Sequence, residues 1–351
     1  MSKKMSFPLF LAALFVVGAC NNNQVIEPEV EDQIEESIVE DEAEAPPFYT
    51  YPLNGLKAQE PVDRRVIGVS INNHPAARPQ SGLGDADIVF EILSEFEVTR
   101  LVAMFHSQLP ERVGPIRSAR PYHIELVNGY NGMFVTHGWS PEAQRLLESG
   151  EADFLNGLFY DGTLFQRSTE RKAPHNSYIT SDHMLEGLEA KGYELTGEIP
   201  NLAFYESEDI YVAGPSGKEV EINYYDLNRV TYRYVEEVGL YERFNGDQQT
   251  IDHETGLPIQ LANLLIIETE HTVLDDKGRR AIDLTSGGKA ILFQSGIANE
   301  IRWENQNGKI VPVKDGQVVP LKPGQTWVNV VPTSPGLNES VTHLAQKESV
   351  E

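Results

Sequence analysis

The first part of the chain alternates short apolar runs with amphipathic segments. Each run holds four to six residues rich in branched or aromatic side chains, bounded by polar or turn-forming residues. This pattern is typical of buried strands. The predicted strands are Val66–Ile71, Ile88–Leu93, Arg100–Phe105 and Met133–Thr136.

The segments between and after these strands carry helix capping signals. Serine precedes a proline or an acidic residue at two predicted starts, and glycine follows two predicted ends. The predicted helices begin near Ser118–Pro121, at Ser140-Pro141 and at Ser181-Asp182, and the last two end at Gly150 and Gly192. The mixture predicts an α/β or α+β N-terminal domain over residues 48–203.

Beyond this domain the helix signals stop and strand signals recur between turn dipeptides such as Asn245-Gly246 and Asn307-Gly308. The predicted strands are Val220–Tyr225, Val230–Val235, Leu240–Phe244, Leu264–Val273, Ala281–Leu284, Ala290–Gln294, Glu300–Trp303 and Thr326–Val331. This spacing predicts an antiparallel β-sandwich or barrel-like C-terminal domain over residues 204–332. The polar residues 333–351 predict a flexible tail.

The first twenty residues have the pattern of an export signal. Lys3 and Lys4 precede an apolar run that is too short to span a bilayer. The run ends in Val17-Gly18-Ala19-Cys20, which resembles a bacterial lipobox, and Cys20 is the one cysteine of the chain. We therefore predict a lipoprotein signal peptide over residues 1–20 and a lipidated Cys20, which would anchor the protein at the outer face of the cytoplasmic membrane. An ordinary cleavable signal, or a buried cysteine, is the alternative.

An acidic segment follows the signal. Residues 27–44 contain ten acidic residues, no basic residue and no aromatic residue. Such a composition cannot bury enough apolar surface to fold, and its charges repel one another. We predict that residues 21–47 form a disordered tether.

The overall charge and the missing motifs exclude several functions. A net charge of −25 over 351 residues disfavours nucleic acid as a partner. One cysteine cannot form an intrachain disulfide, and if Cys20 is lipidated no cysteine remains as a catalytic nucleophile. A phosphate-binding loop, a dinucleotide fingerprint and a serine nucleophile elbow are also missing from the sequence. We expect no cofactor.

One part of the N-terminal domain departs from the general acidity. Residues 99–123 contain four arginines and one acidic residue. Guanidinium groups suit bidentate recognition of phosphate or carboxylate, and a predicted helix start lies nearby. The predicted ligand-binding residues are Arg78, Arg100, Arg117, Ser118, Arg120 and Asn176. The alternative is structural, with Arg117 or Arg120 tied to Asp85, Asp87 or Glu91.

Histidines provide the second set of candidates. His106 and His137 each follow a predicted strand, and His175 precedes Asn176 in a loop, with His74 following Asn72-Asn73. Ligands of open α/β sheets bind beyond strand ends, so His106, His137 and His175 are candidate acid–base groups. Hydrogen-bonded structural histidines are the alternative. Their spacing matches no metal signature, and we expect no metal.

Several longer motifs resemble one family, the YerB-like lipoproteins of Gram-positive bacteria, whose two domains have no assigned function. The motifs are Ala77–Leu83, Ala86–Glu91, Val113–Tyr122, Ala173–Asn176, Asp252–Gly256, Gly278–Asp283 and Thr326–Val330. The resemblance covers most of residues 60–332 and implies a membrane-anchored extracytoplasmic protein. It supplies no catalytic mechanism.

These features lead to two functional hypotheses. The first is a binding or accessory lipoprotein that engages an envelope protein or a cell-wall polymer, with the bilayer as a partner through Cys20. The alternative is a hydrolase or transferase on an anionic envelope substrate, with an arginine clamp and a histidine acid–base group. Convergence of arginines and histidines in one cleft would favour the enzyme. Arginines paired with carboxylates, and scattered histidines, would favour binding.

Overall fold

The computed structural model describes residues 48–207, 212–225 and 228–343. The predicted signal peptide, Cys20 and nearly all of the predicted tether lie outside these ranges. Within them, the chain is mostly β-sheet with few helices, and no helix is long and apolar enough to cross a membrane.

The predicted strands and helices of the first part are present, and two strands have the predicted bounds. The strands are β1 Tyr49–Thr50, β2 Lys57–Ala58, β3 Ile67–Asn72, β4 Ile88–Leu93, β5 Thr99–Phe105, β6 Arg112–Val113, β7 Met133–Thr136, β8 Phe154–Asn156, β9 Phe165–Arg167 and β10 Ser177–Thr180. The helices are α1 Pro121–Gly129, α2 Pro141–Glu148, α3 Gly157–Tyr160 and α4 Ser181–Ala190, with short 3-10 helices at Pro75–Ala77 and Leu83–Asp85.

Capping residues explain where two of the helices begin. The Ser140 hydroxyl accepts a hydrogen bond from the Ala143 N–H at 3.3 Å, as the sequence predicts for α2. The cap of α4 is Thr180, whose hydroxyl accepts from the His183 N–H at 3.3 Å. The prediction of Ser181-Asp182 as the cap is therefore wrong by one residue, because Thr180 keeps the extended backbone of β10 and Ser181 is already helical.

The second part is built from strands and one short helix, α5 Leu337–Ser340. The strands are β11 Glu219–Asn223, β12 Arg229–Val235, β13 Leu240–Asn245, β14 Gln248–Gln249, β15 Gln260–Leu261, β16 Asn263–Thr269, β17 His271–Val273, β18 Arg280–Ile282, β19 Gly288–Gln294, β20 Ile297–Gln306, β21 Lys309–Lys314, β22 Gln317–Val318, β23 Thr326–Pro332 and β24 Val341–His343. Asn307 and Gly308 both have positive φ, at 55° and 88°, as the tight turn between β20 and β21 requires.

Strands of both parts join in one mixed sheet. Its order in the described residues is β22-β21-β20-β19-β16-β23-β4-β5-β3-β7-β8. The junction is β23, which runs parallel to β16 on one side and to β4 on the other. Backbone hydrogen bonds therefore cross the sequence boundary predicted near residue 203, and the two halves share one sheet.

A smaller sheet packs on one face of this large sheet. Its order is β14-β13-β12-β11-β24, with β15 paired to β13. Tyr232 of β12 lies edge-on to Trp327 of β23 at 6.4 Å, and both residues are buried. Helices α1 and α2 cover part of the opposite face, where Val127 and Leu147 pack with Phe90 and Phe134. The packing of the smaller sheet on the large one gives the second part the predicted β-sandwich character.

The tail prediction needs a correction for residues 333–343. In this segment β24 pairs with β11, and Leu337 and Val341 are buried. Its few apolar side chains complete the core between the two sheets, a long-range contact that the polar local sequence does not reveal. Residues 344–351 lie outside the described residues.

Candidate functional site

Three parallel strands bring polar residues to one edge of the large sheet. Strand β7 runs parallel to β3 and to β8. Asn72 and Asn156 end β3 and β8, and His137 directly follows β7. Carboxyl ends of parallel strands are where open α/β sheets place their ligands, so this edge is the candidate site.

Beside this edge lies an arginine cluster, made of Glu95, Arg100, Arg117 and Arg120. Arg100 Nη2 binds Glu95 Oε2 at 2.6 Å, and Arg120 Nε binds Glu95 Oε1 at 2.7 Å. Burial acts to raise the pKa of Glu95, but Arg100 and Arg120 hold it below its usual value. Three cations surround one carboxylate, which gives the cluster a surplus of positive charge.

Glu95 is not one of the acids expected to pair with these arginines. Asp87 instead accepts the backbone N–H groups of His106 and Ser107. Glu91 is paired with Arg243 at 2.9 Å. The structural alternative thus named the wrong acids for Arg120, which is tied to Glu95 together with Arg100.

Arg117 differs from its two neighbours. Within the described ranges its guanidinium has no hydrogen-bond or ion-pair partner, and its Nε is buried. Its backbone is held firmly, because its N–H donates to Ser70 O and its carbonyl accepts from the His137 N–H at 3.0 Å. Burial lowers the pKa of Arg117, and Glu95 and Arg120 act on it in opposite directions. Such a rigidly placed, unmatched cation is suited to bind an anion.

His175 stacks on His74 at this edge, with ring centroids 4.6 Å apart. Asn72 Oδ1 accepts the His74 N–H, so Asn72 Nδ2 is the donor to His175 Nδ1 at 2.8 Å. His74 Nδ1 accepts the Ala76 N–H at 3.1 Å. In the neutral rings the proton therefore sits on Nε2 of both histidines. Burial, His74 and Arg117 lower the pKa of His175.

His137 is engaged on both ring nitrogens. Arg167 Nη2 donates to His137 Nε2 at 3.0 Å, so Nδ1 carries the proton and donates to Ser177 Oγ at 2.7 Å. Burial, Arg167 and Arg117 lower the pKa of His137, against the opposing effect of Asp161. The ring is also in contact with Gly157, where an added Cβ would collide with it. His137 is thus a fixed neutral side chain beside the Arg117 backbone.

Ser118 and Asn176 join the same network. The Ser118 hydroxyl donates to His137 O at 3.2 Å, and its carbonyl accepts from Arg100 Nη1 at 2.6 Å. Asn176 Oδ1 accepts from Arg167 Nη1 at 3.1 Å. Sequence reasoning missed Arg167 and Glu95, because neither lies in one of the motifs and many other arginines and acids could have taken their places.

Arg78 lies on the loop that carries His74. It donates to two amide oxygens, those of Asn73 at 3.1 Å and Asn228 at 3.3 Å. Burial, with a smaller effect of Arg243, lowers its pKa to about 10. Arg78 and His74 line a cavity of about 150 Å³. This candidate therefore adjoins the site without belonging to the arginine cluster.

His106 lies elsewhere. It follows β5, which runs antiparallel to β3 with Phe105 opposite Ile67, so it lies at the other edge of the sheet. It is fully buried and its Nδ1 binds Arg64 O at 2.8 Å. His106 therefore does not converge with His137 and His175, because consecutive strand ends meet only when the strands are parallel. No group of three or more His, Cys, Asp or Glu in the described part of the chain is placed to hold a metal ion.

Comparisons with known proteins agree on one family. Residues 53–194 match the N-terminal domain, and residues 220–328 the C-terminal domain, of "Protein of unknown function (DUF3048)". "Putative lipoprotein YerB" of Bacillus subtilis (strain 168) is 48% identical over 287 residues, which are 80% of this chain and 86% of that protein. The crystal structure of YerB protein from Bacillus subtilis is similar with a TM-score of 0.78 and 46% identity, over 84% of this chain and 99% of the solved one.

Proposed function

Because this chain belongs to the DUF3048 family, as its likeness to YerB also indicates, we propose that it is a lipid-anchored extracytoplasmic protein that binds an anionic envelope ligand. The group of the ligand that is bound is a phosphate or a carboxylate. The observation that carries the proposal is Arg117, whose guanidinium has no partner among the described residues although the chain carries a net charge of −25. In so acidic a chain an arginine is expected to pair with a carboxylate, so an unpaired arginine indicates a binding role.

The neighbours of Arg117 support an anion rather than a cation at this edge. Arg100 and Arg120 stand beside it with only Glu95 to offset them. His74 and His175 each keep a proton on Nε2 as a further donor, as their Nδ1 contacts require. A tetrahedral or planar oxyanion would satisfy these donors together.

The anchoring part of the proposal rests on the lipobox-like ending at Cys20 and on the likeness to YerB, which is described as a lipoprotein. Cys20→Ser should move the protein from the membrane fraction to the soluble fraction, because two acyl chains would be lost. Membrane fractionation followed by immunoblotting measures this. Unchanged membrane retention of the variant would contradict lipid anchoring at Cys20.

The anion site can be tested on the full chain in the Cys20→Ser background. Inorganic phosphate and acetate, titrated by calorimetry, should bind, and Arg117→Gln should weaken binding by about tenfold or more, the effect of losing charge-assisted hydrogen bonds. Arg145→Gln is the matched control, since Arg145 is exposed on α2 and pairs only with Glu142 in the described structure. Equal affinity in the Arg117 variant and the control would overturn the site.

The hydrolase or transferase alternative has less support. Ser177, the hydroxyl nearest to a candidate base, is 1% exposed, so a substrate carbon cannot reach it. His137 has no free ring nitrogen with which to transfer a proton. A role in binding requires neither an exposed hydroxyl nor a free base.

A further inference from the structure

A separate cavity of about 260 Å³ lies between the start of α1 and the hairpin of β17 and β18. Part of its lining comes from the Gly278–Asp283 and Val113–Tyr122 motifs, two of those on which the family resemblance rests. Its walls are largely apolar, with contributions from Pro121, Leu274 and Ile282. Pockets for drug-sized ligands measure about 300 to 1,000 Å³, so this cavity suits a smaller molecule.

Arg280 supplies an unmatched positive charge in this cavity. The residue is 9% exposed, and its one hydrogen bond in the described structure runs from Nη2 to Phe96 O at 2.8 Å. Its Nε is buried without a partner, and no carboxylate of the described residues lies within ion-pair distance. The guanidinium also lies over the Tyr225 ring, with Cζ 5.9 Å from the ring centroid, and its three remaining Nη N–H groups can bind a carboxylate in bidentate geometry.

Glu125 of α1 supplies an unmatched negative charge in the same cavity. It is half-buried and has no hydrogen-bond or ion-pair partner in the part of the chain described. Burial and the nearby Asp283 raise the pKa of Glu125. A bound ammonium group would relieve this cost by stabilising the ionised carboxylate.

The other charges that line the cavity are already matched. Arg279 pairs with Asp275 at 2.5 Å and Glu142 with Arg145 at 2.6 Å. Arg120 is bound to Glu95 of the arginine cluster. Glu125 and Arg280 are therefore the charges left for a ligand, and they have opposite signs.

We propose that this cavity binds a free amino acid with an apolar side chain. Arg280 would bind its carboxylate, Glu125 its ammonium group, and the apolar walls its side chain. Both charged groups of the ligand are needed, which separates the proposal from general binding of apolar molecules. The cavity adjoins the arginine cluster through Arg120, but Arg117 does not line it.

Three related ligands test the proposal on the full chain in the Cys20→Ser background. Calorimetry should show binding of leucine, and binding weaker by about tenfold or more for leucinamide, which lacks the carboxylate, and for 4-methylpentanoate, which lacks the amine. Arg280→Gln should abolish the preference for leucine over leucinamide. Glu125→Gln should abolish the preference for leucine over 4-methylpentanoate. Equal binding of the three ligands to the unmodified cavity would overturn the proposal, as would no binding of leucine.

Three further variants and one further ligand keep the test interpretable. Arg280 is buried and its replacement can unfold the protein, so Ala281→Trp provides a second route, since Ala281 is an exposed residue lining the cavity and a large side chain would fill it. This variant should lose leucine binding while its thermal unfolding stays that of the parent. Arg302→Gln and Glu300→Gln, both exposed on β20, are matched charge controls and should bind leucine normally. N-acetylleucine distinguishes a free amino acid from a peptide C-terminus: binding as tight as that of leucine would overturn the role of Glu125.

Discussion

Two regions of the molecule bury arginines next to glutamates, and the local balance of charge differs between them. Between the two sheets, Glu91 and Arg243 are 0% and 1% exposed and form one pair at 2.9 Å. Asn73 and Thr99 donate to the second Glu91 oxygen, and Trp327 stacks on the guanidinium at 4.9 Å. In the arginine cluster, Arg100 and Arg120 share Glu95, and Arg117 has no hydrogen-bond or ion-pair partner in the described structure.

This difference indicates a structural role for the Glu91–Arg243 pair and a binding role for the arginine cluster. In the buried pair both Glu91 oxygens are satisfied and the two charges are matched, although Arg243 Nε has no partner in the described structure, and the pair ties β4 of the first part to β13 of the second. The arginine cluster has a surplus of positive charge, which an anionic ligand can neutralise. The predictions that follow test this contrast by changing charges in one region and then in the other.

The largest effect is expected for Arg243→Leu. The substitution leaves Glu91 buried without a cation, and breaking a buried ion pair in this way costs about 3 to 5 kcal/mol. Urea unfolding followed by circular dichroism should show a loss of that size in the free energy of unfolding. Arg229→Leu, an arginine 48% exposed with partners no closer than 3.7 Å, is the control and should cost less than about 1 kcal/mol. A similar cost for both variants would remove the distinction between the buried pair and surface pairs.

The second prediction concerns Glu95→Gln. Arg100 and Arg120, both buried, would lose their shared carboxylate, which should cost about 2 to 4 kcal/mol of unfolding free energy. The same change should increase affinity for inorganic phosphate, because the cluster loses the negative charge that competes with the ligand. Glu91→Gln should destabilise the protein without changing phosphate affinity. Unaltered phosphate affinity in Glu95→Gln would show that the cluster does not act on the ligand.

Features that depend on local sequence could be predicted. Strands such as Ile88–Leu93 and Met133–Thr136 have the predicted bounds because their apolar runs and flanking residues are local signals. The excess of arginine over residues 99–123 identified Arg100, Arg117 and Arg120, which do lie close together, and their role in ligand binding stays a prediction. His137, His175, Ser118 and Asn176 do lie near Arg117, since parallel strands and one loop bring them together.

Pairing between distant residues could not be predicted. Glu95 precedes Arg120 by 25 residues, and Glu91 precedes Arg243 by 152, with several equivalent acids available in each case. The strand order of the large sheet could not be predicted for the same reason, because the position of β23 beside β4 depends on backbone pairing across more than two hundred residues. The position of His106, away from His137 and His175, could not be predicted for the same reason, since the direction of β5 is a property of the sheet and not of the local sequence.

The third prediction is a pH effect centred on the arginine cluster. Burial, with Arg100 and Arg120, holds the pKa of His123 well below its usual value. The unfolded chain takes up this proton near pH 6.5, whereas the folded protein does not, so stability is full above about pH 6.5 and falls as the pH is lowered. Between pH 7 and pH 5 this group costs about 2 kcal/mol, and His123→Asn should remove that part of the loss in urea unfolding at the two pH values. An unchanged loss in the variant would assign the acid sensitivity to other groups.

The smallest effect, and the sharpest contrast, is expected for Arg117→Leu. The same substitution that destabilises the protein at Arg243 should change the free energy of unfolding by less than about 0.5 kcal/mol, because Arg117 has no hydrogen bond or ion pair to lose in the described structure and the effects of Glu95 and Arg120 on it oppose each other. Urea unfolding in low salt, where repulsion is least screened, is the measurement. Phosphate should stabilise the parent protein and not the variant, since a ligand that binds the folded state adds to its stability. A loss of more than 2 kcal/mol on Arg117→Leu would mean that Arg117 supports the fold as Arg243 does, and the division between a closed and an open charge cluster would fail.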